Sequence, residues 1–157
     1  YSLAEGKRVL IITDGGGIGI SIADACEEAG LRVPEIPDEA VKRLKEKLPV
    51  FASVKNPIDL TGSVRDEHYI YALQEAFREG YDLAIVSLLW GPPLLTPKIA
   101  EKIRDFADSC GKPILICSPG GKFSREMASA LTATGMPVFF TPDSAVRAAK
   151  VLCGGIK

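Results

Sequence analysis

Short apolar runs alternate along this chain with longer stretches in which apolar residues return every three or four positions. Residues 8–13 (RVLIIT) form a β-branched run of the kind buried on both faces of a sheet. Residues 18–29 then place Ile18, Ile22, Ala25, Cys26 and Ala29 at helical spacing, and Gly30 marks a left-handed stop. Residues 31–36 predict a weaker second strand, limited by Pro34 and Pro37. Asp38 caps a helix running to Lys47, with Val41, Leu44 and Leu48 on one face.

Residues 51–62 (FASVKNPIDLTG) predict the one long irregular stretch, with Asn-Pro and Thr-Gly turn signals among apolar residues. A helix over 66–79 turns Tyr69, Leu73, Ala76 and Phe77 inward, and 82–89 (DLAIVSLL) is a buried strand. Thr96-Pro97 opens a helix to about Ser109, a strand covers 112–117, and a helix over 124–134 ends at Gly135. A strand over 137–140 and a last helix from Thr141-Pro142 to about Leu152 complete the pattern.

Five strands alternating with helices predict a flavodoxin-like α/β domain. Its five-stranded parallel sheet carries helices on both faces and right-handed crossovers. No linker, repeat or low-complexity tract divides residues 1–157, so one domain is expected. Ligands of such sheets gather outside the carboxyl ends of the strands. That places candidate chemistry in the loops 14–19, 56–62, 90–96, 118–122 and 141–143.

Composition narrows the function classes. The 157 residues are 46% hydrophobic and 25% charged, ordinary for a globular domain with a full core. With 19 basic and 20 acidic side chains the net charge is −1, which offers no electrostatic footprint for nucleic acid or an anionic membrane. No apolar run approaches the ~18 residues of a membrane span. Cys26, Cys110, Cys117 and Cys153 stand singly, as small hydrophobes of a reducing cytoplasm, with no metal-site spacing.

The most informative chemistry is Asp14-Gly15-Gly16-Gly17-Ile18-Gly19, where four glycines fall in five residues at a strand-to-helix turn. Glycines let backbone approach a ligand closely, and a helix N-terminus favours an anion, so the pattern predicts phosphate or carboxylate binding. The alternative is a tight turn that packs helix on sheet. The third glycine of a dinucleotide fingerprint is missing, and so is the Gly-Lys-Ser/Thr of a P-loop. A phospho-acceptor receiver is excluded because Asp14 has no paired acid and the third strand ends at Leu89-Trp90.

Ser21 sits about a turn too deep in its helix for a nucleophile elbow. His68, the single histidine, falls on a helix surface and not beside a nucleophile. In the loop Asn56-Pro57-Ile58-Asp59-Leu60-Thr61-Gly62, Asn56 is held extended with its amide free to reach a neighbouring loop. Asp59 and Thr61 either stabilise their own turn or touch a ligand. Trp90, before Gly91-Pro92-Pro93, suits an exposed interface or a packed lid, and Ser118–Lys122 adds backbone donors and one cation.

Three segments together resemble the NDP-forming acyl-CoA synthetases, the superfamily that includes succinyl-CoA synthetase: 8–20 (RVLIITDGGGIGI), 53–62 (SVKNPIDLTG) and 141–148 (TPDSAVRA). The likeness is to the flavodoxin-like domain following the phosphohistidine domain in ADP-forming acetate–CoA ligases, and it extends over nearly the whole chain. It implies that Gly15, Gly16, Gly17, Ile18 and Gly19 receive a phosphohistidine carried by another domain, while Asn56, Asp59, Thr61 and Gly62 form a supporting loop. It implies as partners a CoA-binding, phosphohistidine-bearing domain and an ATP-grasp domain.

The parent enzyme would use CoA, ADP or ATP and Mg, none of them expected on this domain, which alone should not be active. Asp14 stands where that family usually has Asn, Ile18 where proline is common, and the Ser-His-Thr-Gly type segment is absent. Tyr1 is an unusual start, so the chain is expected to be a fragment of a larger subunit. The reading outside that family is a stand-alone small-molecule or nucleotide-binding module.

Overall fold

In each central strand, successive side chains serve opposite cores, which explains why the runs are apolar without alternation. The computed structural model describes residues 3–4 and 6–154; Tyr1, on which the expectation of a preceding segment rests, lies outside them. The elements in order are β1 (Val9–Thr13), α1 (Gly16–Glu28), α2 (Asp38–Lys47), β2 (Ser53–Val54), β3 (Ile58–Asp59) and α3 (Asp66–Phe77). Then follow β4 (Leu83–Ser87), α4 (Ile99–Cys110), β5 (Ile114–Cys117), α5 (Lys122–Ala133), β6 (Val138–Phe139) and α6 (Pro142–Leu152). The sheet order is β2-β3-β1-β4-β5-β6, parallel throughout except for the β2–β3 pair.

Val9, Ile11, Leu83, Ile85, Leu115 and Cys117 pack with Ile22 and Cys26 of α1 and Ala145, Val146 and Ala149 of α6. Their neighbours Leu10, Ile12, Ala84, Val86, Ile114 and Ile116 face the second core, built with α2, α3, α4 and α5. Full burial of each such aliphatic side chain contributes about 1.5–3 kcal/mol. Gly30 (φ 79°) and Gly135 (φ 77°) take the left-handed stops that the sequence predicts. Thr141 caps α6, its hydroxyl accepting from Ser144 N at 3.2 Å with Pro142 next in line. Among the described residues no helix is long and apolar enough to cross a membrane.

The expected five-stranded, all-parallel sheet is corrected to six strands with one antiparallel pair. Residues 31–36 do not form a strand. They touch β1 through a single bridge, Arg8 to Arg32, because Pro34 and Pro37 bring no N–H to a ladder. The place beside β1 is taken by the stretch read as irregular. β2 and β3 form a short hairpin around Lys55-Asn56-Pro57, in which the Asn56–Pro57 bond is cis, and Ile12 pairs with Ile58. Below that pairing the Asn56 side chain acts as a substitute strand: Oδ1 accepts from Ile11 N, and Nδ2 donates to Val9 O and Pro34 O, each at 2.9 Å.

Candidate functional site

Register places the strand ends in one row. Ile12 pairs with Val86, Ser87 with Cys117, Cys117 with Phe139, and Thr13 with Asp59. Asp14, Leu60, Leu88, Ser118 and Phe140 therefore stand just beyond the carboxyl edge. The chain leaves β1 for β3 on one side and returns to β4 on the other, so β1 and β4 bound the position where a crevice opens.

At that position the glycine turn is part of a helix. α1 begins at Gly16, two residues before the expected start at Ile18, with Gly15 as its extended N-cap. Thr13 Oγ1 accepts from Gly15 N at 3.0 Å, and Gly15 O accepts from Ile18 N at 3.1 Å and Gly19 N at 3.2 Å. The N–H groups of Gly16 and Gly17 have no acceptor among the described residues. These are two of the four orphan donors that any helix N-terminus presents.

The four glycines do different jobs. A Cβ on Gly15 would run into the Leu89 side chain; on Gly16 it would lie 2.8 Å from Asp59 Oδ2, and on Gly19 2.9 Å from Thr13 Cγ2. A Cβ on Gly17 would meet nothing within 4 Å. Gly15, Gly16 and Gly19 thus answer to packing, as the tight-turn alternative requires, and Gly17 does not. Ile18 is half-buried and packs against the α1–α6 core.

The flanking loops hold fixed, unusual backbone. Thr61 (φ 63°) and Trp90 (φ 64°) are the non-glycine residues in the left-handed region among those described, and both follow strands that adjoin β1. For a β-branched threonine this conformation is strained, and such strain gathers at functional sites. Asp59 Oδ1 accepts from Thr61 N at 3.0 Å, so its carboxylate stands beside the foot of α1 without bonding the Gly16 or Gly17 amides. Gly62 is exposed in the same loop.

Trp90 is buried and not an exposed aromatic. Its Nε1 donates to Ser118 Oγ at 2.8 Å, and Ser118 Oγ donates to Leu88 O at 3.2 Å. The exit loops of β4 and β5 are thereby pinned together, a link that no local sequence signal announces. Asn56 lies away from this edge, against the middle of β1. His68 sits in the first turn of α3, where its Nδ1 accepts from Arg65 N at 3.1 Å, and burial holds its pKa below the ordinary value. Ser21 Oγ donates to Gly17 O at 3.0 Å. Neither forms a nucleophile–base pair. Among the described residues no group of three or more His, Cys, Asp or Glu side chains is placed to hold a metal ion.

Asp14 points at the next strand. Its Oδ1 accepts from Leu89 N at 2.9 Å, while Oδ2 is buried without a hydrogen-bond partner. The nearby Tyr69 hydroxyl is committed to Ser87 O at 2.9 Å. Burial raises the Asp14 pKa, the Leu89 N–H opposes the rise, and the Asp59 charge adds to it. A raised folded pKa means that the folded protein binds more protons than the unfolded chain above the ordinary value of 3.8, so this group's contribution falls as pH rises through that window. Asp14→Asn keeps an acceptor for Leu89 N and removes the buried charge. Urea denaturation should therefore show the variant gaining stability over the wild type as pH rises above the ordinary value of 3.8. A difference constant across that rise would refute the assignment.

Comparison with known proteins adds a second line. The Ligase-CoA domain family matches residues 9–150. The α subunit of an ADP-forming acetate–CoA ligase I from Pyrococcus furiosus is 34% identical over 151 residues, covering 94% of this chain and 32% of that protein. An ADP-forming acetate–CoA ligase I from Archaeoglobus fulgidus is 33% identical over 147 residues, covering 92% of this chain and 20% of that protein. Among solved structures, the acetyl-coenzyme A synthetase 1 of Ca. Korarchaeum cryptofilum in complex with phosphate and ADP superposes with a TM-score of 0.81. There the identity is 29%, over 96% of this chain and 33% of that chain. The chain thus spans a third or less of the length of these three proteins.

Proposed function

This chain belongs to the Ligase-CoA domain family, and from that premise we propose that it receives a phosphorylated histidine of a partner domain at the N-terminus of α1, within an ADP-forming acyl-CoA synthetase. The observation that carries this reading is the pair of unclaimed N–H groups on Gly16 and Gly17, with open space at Gly17, where an added Cβ would meet nothing within 4 Å. They lie at the β1–β4 divergence, where parallel α/β sheets take their ligands.

The order of the five parallel strands, β3-β1-β4-β5-β6, follows the flavodoxin-like arrangement and supports that fold assignment. The relatives are longer proteins, named as ADP-forming ligases and their subunits. That length supports a division of labour in which a CoA-binding, phosphohistidine-bearing domain and an ATP-grasp domain supply the remaining chemistry. CoA, ADP or ATP, and Mg would be held there and not by this domain.

The residues of this chain need no acid–base chemistry for the role. A phosphoryl group carries its charge into the seat, and fixed backbone dipoles stabilise it without reorganising. The Gly17 position admits close approach because nothing projects from it. Asp14 turns its hydrogen-bonded oxygen towards Leu89, so the acid next to the turn braces the exit loop of β4.

A direct test follows amide resonances as inorganic phosphate is added to the chain at constant ionic strength. The signals of Gly16 and Gly17 should move, while those of Gly30 and Gly111, at helix C-termini, should not. Shifts spread evenly over the protein, or none at the turn, would count against the seat. Capture of a diffusible nucleotide with the same signals moving would favour the stand-alone small-molecule module instead.

A further inference from the structure

The anion seat at the foot of α1 is poor in positive charge. Residues 14–19, 59–62 and 88–95, the segments at the carboxyl ends of β1, β3 and β4, contain no lysine, arginine or histidine and two acids, Asp14 and Asp59. Asp14 is buried and turns its bonded oxygen to Leu89 N. Asp59 stands against the seat. It pairs with Thr13 across the parallel β1–β3 ladder, which sets it level with the glycine turn. Its Oδ1 accepts from Thr61 N at 3.0 Å, and the left-handed Thr61 (φ 63°) closes that small turn. Oδ2 takes no hydrogen bond or ion pair among the described residues, and a Cβ on Gly16 would lie 2.8 Å from it. A half-buried carboxylate oxygen therefore stands uncommitted against the residue whose N–H opens the helix.

Such an acid works against a free phosphate, since like charges repel and water at a protein surface screens them only in part. It works for a guest that carries both signs. An imidazole phosphorylated on one ring nitrogen and protonated on the other brings phosphoryl oxygens to the Gly16 and Gly17 amides and a ring N–H to Asp59 Oδ2. That second contact is a charge-assisted hydrogen bond, the strong kind, and a neighbouring carboxylate also favours the protonated ring. We propose that Asp59 sets the specificity of the seat: it admits an N-phosphorylated imidazolium and disfavours free phosphate and acyl phosphates, which bring no donor. The proposal rests on the function argued above and deepens it, by naming the residue that tells a protein-borne phosphoryl group from phosphate in solution. Asp59 binds and orients in this role and transfers no proton. The turn to Thr61 N holds one of its oxygens in place and leaves the other for the guest.

The test compares two probes on this chain at about pH 6.5, the ordinary pKa of an imidazole. The amide resonances of Gly16 and Gly17 are followed at constant ionic strength during titration with inorganic phosphate and, separately, with monophosphoimidazole. The wild type should bind phosphoimidazole about tenfold more tightly than phosphate, the order of one charge-assisted hydrogen bond. Asp59→Asn keeps an acceptor for Thr61 N. It should bind phosphate about threefold more tightly than the wild type and lose the preference for phosphoimidazole. An acid that only braces its own turn would not make phosphate bind better when neutralised. Equal affinities for the two probes in the wild type would overturn the proposal, and that measurement needs no variant to fold. The same preference in both proteins would overturn it too. So would phosphate binding that Mg²⁺ tightens in the wild type and not in Asp59→Asn, which would give the carboxylate to a bridging metal. The two readings separate cleanly: both probes moving the signals without preference removes the selectivity of Asp59 alone, and neither probe moving them removes the seat as well.

Discussion

Gly17→Val is expected to lower acyl-CoA-dependent ATP formation by the intact synthetase about 100-fold or more while the protein melts at an unchanged or slightly higher temperature. Cβ atoms on a helix tilt towards its N-terminus, so a valine here would stand over the amides of the seat. Loss of one preorganised donor to a developing or transferred charge typically costs about 10²–10³ in rate. Stability is spared because the added side chain meets nothing within 4 Å. Gly15 offers the contrast. An added Cβ there collides with Leu89, whose N–H anchors Asp14, so Gly15→Ala should destabilise by about 1–3 kcal/mol through overpacking. Full turnover in Gly17→Val, measured by coupled ATP assay, would remove the functional assignment.

Asn56→Ala should produce the largest loss of stability from a residue outside both cores. Three hydrogen bonds of 2.9 Å disappear, and the removed amide leaves Ile11 N, Val9 O and Pro34 O without it. At about 1 kcal/mol for each bond the loss is about 3 kcal/mol, and a domain of this size should melt roughly 6–12 °C lower. Asn56→Asp should do no better, since a carboxylate cannot donate to the two carbonyls. A change below about 1 kcal/mol in urea denaturation would show that water or rearranged backbone takes over these bonds.

These two residues also show how far the sequence could be read. The strong strands and all six helices announced themselves through their apolar pattern. Of the caps, Thr141 serves as read, whereas α2 starts at Asp38 behind Pro37 with no side-chain cap and α4 starts at Ile99, beyond Thr96-Pro97. The weak element failed at Pro34. Hydrophobic pattern alone could not say that a carboxamide twenty-two residues later would bond its carbonyl and take its place beside β1. The glycine turn was legible as a strand-to-helix junction. Its division into three packing glycines and one open one was not, since that depends on Leu89, Asp59 and Thr13, which reach it only in the folded chain. Trp90 was visible as an aromatic among prolines, yet its inward turn depends on Ser118, on another loop.

The links that join the loop ends bear on how this domain would behave through repeated cycles. Asp14 fastens Leu89, Trp90 fastens Ser118, and Ser118 fastens Leu88. If a partner domain docks here as proposed, a platform laced together in this manner would have little left to order, and the entropy of each encounter would fall on the partner and on any linker joining it to this domain. Faster exchange would then come from changing that linker's length and stiffness rather than the platform.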